Sequence, residues 1–156
     1  MAKSLSYTKT LSAAPQELYG EICSLQLQYF QSYDKSISEL REGLKIKRDF
    51  YTKINVEKVP GKSVLSVMNP QEIVLKHVYG NNEIEARWQL ESAGCGTKLS
   101  YTETSTFDKK REQTNFSLVS FFYKFLFNRQ MKKRYAYLQE QAGKRRNAGS
   151  LAEVSV

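Results

Sequence analysis

At 156 residues and 18.0 kDa the chain has room for one hydrophobic core and is short for two, because domains usually run to roughly 100–200 residues. A make-up of 40% hydrophobic, 12% aromatic and 26% charged residues is too apolar for a disordered chain. The net charge of +8 is gathered at one end, where residues 124–146 carry eight Lys or Arg against one Glu, so it argues for a local anionic contact and against a field over the whole body.

Cys23 and Cys95 lie far apart without C-x-x-C or Cys/His spacing, which excludes a zinc finger and a disulfide framework and leaves no metal or cofactor to be expected. They read as reduced thiols. The opening MAKSLSYTKTLSAAPQ lacks the apolar core of a secretory signal, and Lys124 interrupts the richest apolar run, Phe116 to Phe127. A soluble, cytoplasmic protein is expected.

Leu5, Tyr7, Lys9 and Leu11 alternate with Ser6, Thr8 and Thr10, the rhythm of a half-buried strand. Pro15 suits a helix start, and Leu18, Ile22, Leu25 and Tyr29, widened by Tyr19 and Phe30, recur at helical spacing to about Gln31. Ser36 and Glu39 have capping-box spacing and Gly43 offers a left-handed stop, predicting a second short helix over Ile37 to Glu42.

From Leu44 the alternation is strict: Leu44, Ile46, Arg48, Phe50, Thr52, Ile54 and Val56 share one face of a long strand. Val59-Pro60-Gly61-Lys62 reads as a tight turn returning into Ser63 to Met68. Turn signals at Asn69-Pro70, Gly80-Asn81-Asn82 and Ala93-Gly94-Cys95-Gly96 mark off strands Glu72 to Tyr79, Glu83 to Glu91 and Thr97 to Phe107. After Asp108 the period is helical to about Gln141, with Phe116, Val119, Phe122, Tyr123, Leu126, Phe127 and Tyr137 on a broad apolar arc. Gly143, Asn147, Gly149 and Ser150 accompany a loss of period, so residues 1–142 read as one domain and 143–156 as a flexible C-terminal tail.

The predicted class is α+β: a curved antiparallel sheet of about six strands wrapped around a long C-terminal helix, with two short helices after strand one. The segments "SYTKTLSAAPQELYGEI" and "SELREGLKIKRDFYTKI", and the element order around them, resemble the START-like superfamily of helix-grip proteins, which includes polyketide cyclases and pollen allergens. The likeness covers residues 3 to about 141. It implies a cavity between sheet and terminal helix for an apolar or amphipathic small molecule, and favours binding or carriage over catalysis.

Within that layout Arg48, Phe50, Thr52, His77, Tyr79, Trp88, Tyr101, Glu103, Val119 and Tyr123 are the candidate ligand-binding residues. Arg48, His77 and Glu103 would hold a polar end on an otherwise dry face, where a bare charge costs several kcal/mol, and the aromatic residues would form the walls. The plainer alternative has Arg48 and Glu103 neutralising each other, His77 at a strand end near water and Trp88 as ordinary packing. Lys9 is expected to snorkel to solvent. His77 or Glu103 as acid or base of a cyclase- or hydratase-like enzyme is a weaker alternative, since no catalytic residue has a partner that the sequence can place.

Arg129, Lys132, Lys133 and Arg134 form a second candidate surface, for an anionic membrane, a nucleic acid or an acidic partner. The plainer reading is a solvated helix end whose cations suit the dipole. Leu118, Phe121 and Phe125, at the edge of the apolar arc, predict self-association as a homodimer through the terminal helix.

Overall fold

A computed structural model describes residues 2–51, 58–106 and 110–154, with side chains for 4–50, 58–106 and 125–147. The elements are β1 (Ala2–Leu11), α1 (Pro15–Gln31), β2 (Lys45–Tyr51), β3 (Lys58–Asn69), β4 (Glu72–Tyr79), β5 (Asn82–Ala93), β6 (Gly96–Thr106) and α2 (Lys110–Val154). The strands form one six-stranded sheet in the order β1-β6-β5-β4-β3-β2 with antiparallel neighbours throughout. β1 and β2 are thus opposite edges, and α1 spans the route between them.

The alternation in the sequence becomes two faces. On the wet face Ser4, Ser6 and Thr8 of β1 meet Thr104, Thr102 and Ser100 of β6 through hydroxyl pairs of 2.9–3.0 Å. On the dry face Leu11, Ile46, Leu65, Ile73, Leu75, Ala86, Trp88, Leu90, Leu99 and Tyr101 are buried together with Leu18, Ile22 and Phe30 of α1. α1 starts as expected: Pro15 fills a position that needs no amide proton, and the Ala14 N–H donates to Glu17 Oε1 at 3.2 Å.

The second short helix is absent. Between Ser32 and Leu44 the chain makes turns, because the Ser36 hydroxyl and amide both donate to Asp34 Oδ1 upstream, at 2.6 and 3.0 Å, and do not cap a helix leading to Glu39. Gly43 does take the expected left-handed conformation, with φ of +85°.

Pro60 and Gly61 do not turn the chain either. They lie within β3, paired with Asp49 and Arg48 of β2, and residues 52–57 between the two strands lie outside the described residues. Pro60 is tolerated because β4 joins β3 only from Gly61, opposite Tyr79, so β3 is locally an edge there.

α2 docks through Phe127, Met131, Tyr135, Leu138 and Ala142, all buried. At 100° per residue these five fall within an arc of about 80°. Leu126 and Tyr137, placed on the buried arc by the sequence reading, lie outside that seam and are 52% and 44% exposed. The expected helix end near Gln141 is also overturned, since α2 continues through Gly143 to Val154. A glycine inside a helix costs only about 1 kcal/mol. Beyond it Arg145 and Arg146 meet Glu21 and Glu17 of α1, which holds this turn against the body.

Candidate functional site

Two groups of side chains occupy the dry face. The first is an aromatic belt where α2 crosses the sheet. Tyr7, Tyr101, Trp88 and Ile73 lie side by side in register across β1, β6, β5 and β4. Tyr135 of α2 meets Tyr7 edge-on with ring centroids 4.8 Å apart, and Phe127 stacks on Tyr101 at 5.9 Å. The Tyr135 hydroxyl is 2.8 Å from the Tyr7 carbonyl and 2.9 Å from that of Leu99, and its one proton is shared between them. Trp88 and Tyr101, expected as cavity walls, are packed here as core. The Tyr101 hydroxyl donates to Glu103 Oε2 at 3.1 Å, and burial, followed by the negative charge of Glu103, pushes it above the usual tyrosine range.

The second group lies toward the β2 edge and is polar. Arg48 Nη1 donates to the Tyr29 hydroxyl at 2.6 Å, that hydroxyl lies 3.0 Å from Ser63 Oγ, and Ser63 Oγ lies 2.7 Å from His77 Nδ1. The Arg48 guanidinium rests over the Phe50 ring at 4.2 Å and over Tyr33 at 5.0 Å, and Phe50 stacks on Tyr79 at 4.8 Å. His77 is packed against Tyr29 and Phe50, each at 5.9 Å. Burial, with the Arg48 charge beside it, lowers its pKa from the ordinary 6.5 to about 4, so it is neutral near pH 7.

Gly61 makes this packing possible. A Cβ there would collide with the Val78 carbonyl oxygen and stand 2.7 Å from Phe50 Cε2, so only glycine lets the Phe50 ring lie across β3 beneath Arg48.

Of the sequence candidates, the structure therefore brings Arg48, Phe50, His77 and Tyr79 together. Glu103 is apart from them, since β5, β4 and β3 separate its strand from β2, and the expected Arg48–Glu103 neutralisation does not occur. Among the described residues no carboxylate pairs with Arg48, and its Nε–H is buried without an acceptor. Thr52 lies outside the described residues, and Val119 and Tyr123 outside the described side chains.

Sequence reasoning missed Tyr29 and Ser63. In the sequence pattern Tyr29 falls on the apolar stripe of α1. Ser63 occupies an inward position opposite His77, and a serine on the dry face of a strand was the signal available.

On the basic surface Arg129 and Lys132, with Tyr7, Phe125 and Asn128, line a hollow of about 370 Å³, and Lys133 is exposed. Phe125 beside them is 63% exposed, whereas Leu118 and Phe121 lie outside the described side chains. Arg134 lies over the Tyr101 ring at 5.9 Å. Lys9 is exposed, as its snorkelling position requires. No described helix is long and apolar enough to cross a membrane.

Neither a family model nor a curated protein matches the sequence. Solved structures do match the chain path. StfQ, a di-domain ARO/CYC from the steffimycin biosynthetic pathway, superposes with a TM-score of 0.63 at 11% identity, over 94% of this chain and 53% of its own. The fold is START-like. This chain spans about half of StfQ. A protein from Thermus thermophilus gives a TM-score of 0.52 at 16% identity, over 90% of this chain and 97% of its own. Ara h 8.0201 gives 0.50 at 8% identity, over 91% and 95%. Such low identities speak for the START-like path of the chain alone, so the chemistry has to be argued from its own side chains.

Proposed function

We propose that the protein binds a small amphipathic ligand on the dry side of the sheet toward the β2 edge, with its apolar body against Phe50 and Tyr79 and its polar end at Arg48 and His77. The START-like fold supports this reading, since resemblance to that superfamily implies an apolar ligand held between sheet and terminal helix. The observation that carries it is the state of Arg48. A guanidinium on a dry face is ordinarily matched by a carboxylate, because unpaired burial of charge costs several kcal/mol. Here it meets a tyrosine hydroxyl and aromatic rings, and among the described residues its buried Nε–H has no partner.

Binding is favoured over catalysis. Ser63 is fully buried and His77 Nδ1 is occupied by it, so neither is presented as a free nucleophile or base. The test is fluorescence titration with the neutral apolar probe N-phenyl-1-naphthylamine, together with native mass spectrometry of the purified protein. Saturable enhancement of the probe or a retained small molecule is expected; neither being seen rejects the reading.

A second reading has one observation behind it. Exposed Phe125 and Leu126 adjoin the exposed cations Arg129, Lys132 and Lys133, the pairing of apolar and basic groups that suits an anionic membrane surface. Co-sedimentation with phosphatidylserine vesicles that weakens with added salt supports it; equal binding to neutral vesicles removes it.

A further inference from the structure

The polar chain on the β2 side has a direction. Arginine has five N–H donors and no acceptor, so in the Arg48–Tyr29 contact the tyrosine oxygen accepts. The Tyr29 proton is then free to point at Ser63 Oγ, and the Ser63 proton at His77 Nδ1. This is the one assignment that gives both hydroxyl protons an acceptor within the chain. Buried hydroxyls strongly favour such satisfaction.

The consequence falls on the imidazole. If Nδ1 accepts, the proton of the neutral ring sits on Nε2. The two ends of the chain are therefore donors: Nε–H and the remaining guanidinium protons of Arg48, and Nε2–H of His77. Both lie against the same two rings, with Arg48 Cζ 4.2 Å from the centre of Phe50 and 5.8 Å from that of Tyr29, and His77 5.9 Å from each. Among the described residues no carboxylate supplies the matching negative charge.

We propose that the site selects ligands whose polar end is a carboxylate, paired with the Arg48 guanidinium while His77 Nε2–H donates to the same group. The proposal rests on the ligand-binding reading and narrows it to amphipathic acids. An alcohol of equal chain length offers one oxygen and no charge, whereas a carboxylate offers two oxygens and a charge-assisted bond, about twice as strong as a neutral one. His77, neutral near pH 7, adds no second charge, so one negative group balances the site.

The test uses the whole protein at pH 8 with N-phenyl-1-naphthylamine bound, displaced by decanoate or by 1-decanol below their micelle-forming and solubility limits. Decanoate is expected to displace the probe at a concentration about tenfold lower, the factor that one charge-assisted bond supplies. Arg48→Met, which keeps the apolar stem, should reduce that advantage to within about twofold, and Arg48→Lys should retain part of it. Equal displacement by acid and alcohol overturns the carboxylate proposal and leaves ligand binding standing, as does an unchanged advantage in Arg48→Met. Should Arg48→Met fail to fold, Arg48→Lys with an undiminished advantage overturns the proposal on its own. Absence of probe binding, with no heat from decanoate in calorimetry, removes the ligand-binding reading and this one together.

Discussion

The Tyr29 hydroxyl on α1 accepts a 2.6 Å hydrogen bond from Arg48 on β2, so the first helix and the edge strand of the sheet are joined through a cation. The contact does more than fasten two elements. It sets the direction of the hydrogen bonds running on through Ser63 to His77, and among the described residues no carboxylate joins it at Arg48.

Removing the hydroxyl tests this relationship. Tyr29→Phe keeps the ring against Phe30 and His77 but strips Arg48 and Ser63 of their shared partner. A buried donor left unsatisfied costs about 1–3 kcal/mol. Urea unfolding should show the unfolding free energy falling by that amount, through a lower midpoint with the slope unchanged.

His77 gives the protein a pH dependence of known sign. Its folded pKa of about 4 lies below the ordinary 6.5, so the unfolded chain takes up a proton that the folded chain refuses. The His77 contribution is full above pH 6.5 and is lost as pH falls toward 4. Between pH 7.5 and 4.5 the wild type is expected to lose about 2–3 kcal/mol more than His77→Gln, whose carboxylates titrate alike. Equal losses in the two proteins would show that His77 is solvated.

The grip of α2 depends on one phenol. Tyr135→Phe leaves the aromatic belt intact and removes the proton shared by the Tyr7 and Leu99 carbonyls, at an expected cost of about 1–2 kcal/mol. Hydrogen exchange should rise first along the β1–β6 pairing that those carbonyls flank. Tyr135→Ala should cost about 3–5 kcal/mol, as large aromatic truncations in a core do.

Gly61→Ala addresses the room beneath Arg48. The new methyl group would meet the Val78 carbonyl, a main-chain atom that cannot swing away, together with Phe50. A loss of about 1–3 kcal/mol is expected, the usual range for overpacking. Probe affinity should fall as well, because Phe50 is displaced from both Arg48 and Tyr79.

Much of this was legible in the sequence, because strict alternation has a period that survives without knowledge of neighbours. The turn signals bound Glu72–Tyr79 as β4 is bounded, and helical spacing from Pro15 to about Gln31 matches α1. What failed were local signals overruled by distant partners. Pro60-Gly61 is ordinary turn chemistry, yet pairing with β2 carries it into a strand. Ser36 has the spacing of a cap, yet the nearer Asp34 takes both of its donors. On α2 the wealth of aromatics drew the predicted arc toward Leu126 and Tyr137, while the buried seam follows Met131, Tyr135 and Leu138.

In the site, the pattern placed Arg48 and His77 on the dry face, which depends only on period. It paired Arg48 with Glu103 because charge balance across strands needs a strand order, and the order puts three strands between them. Tyr29 and Ser63 escaped notice because their role comes from register and helix placement. Neither is written in local sequence.

His77 is the only histidine, so its imidazole gives a single set of ¹⁵N signals that needs no assignment, and it reports on both halves of the central claim. We expect a pyrrole-type Nε2 and a pyridine-type Nδ1 near pH 7, with a saturable shift of the Nε2 signal as decanoate is added. A proton on Nδ1, or a signal that decanoate leaves unmoved up to its solubility limit, would contradict the account.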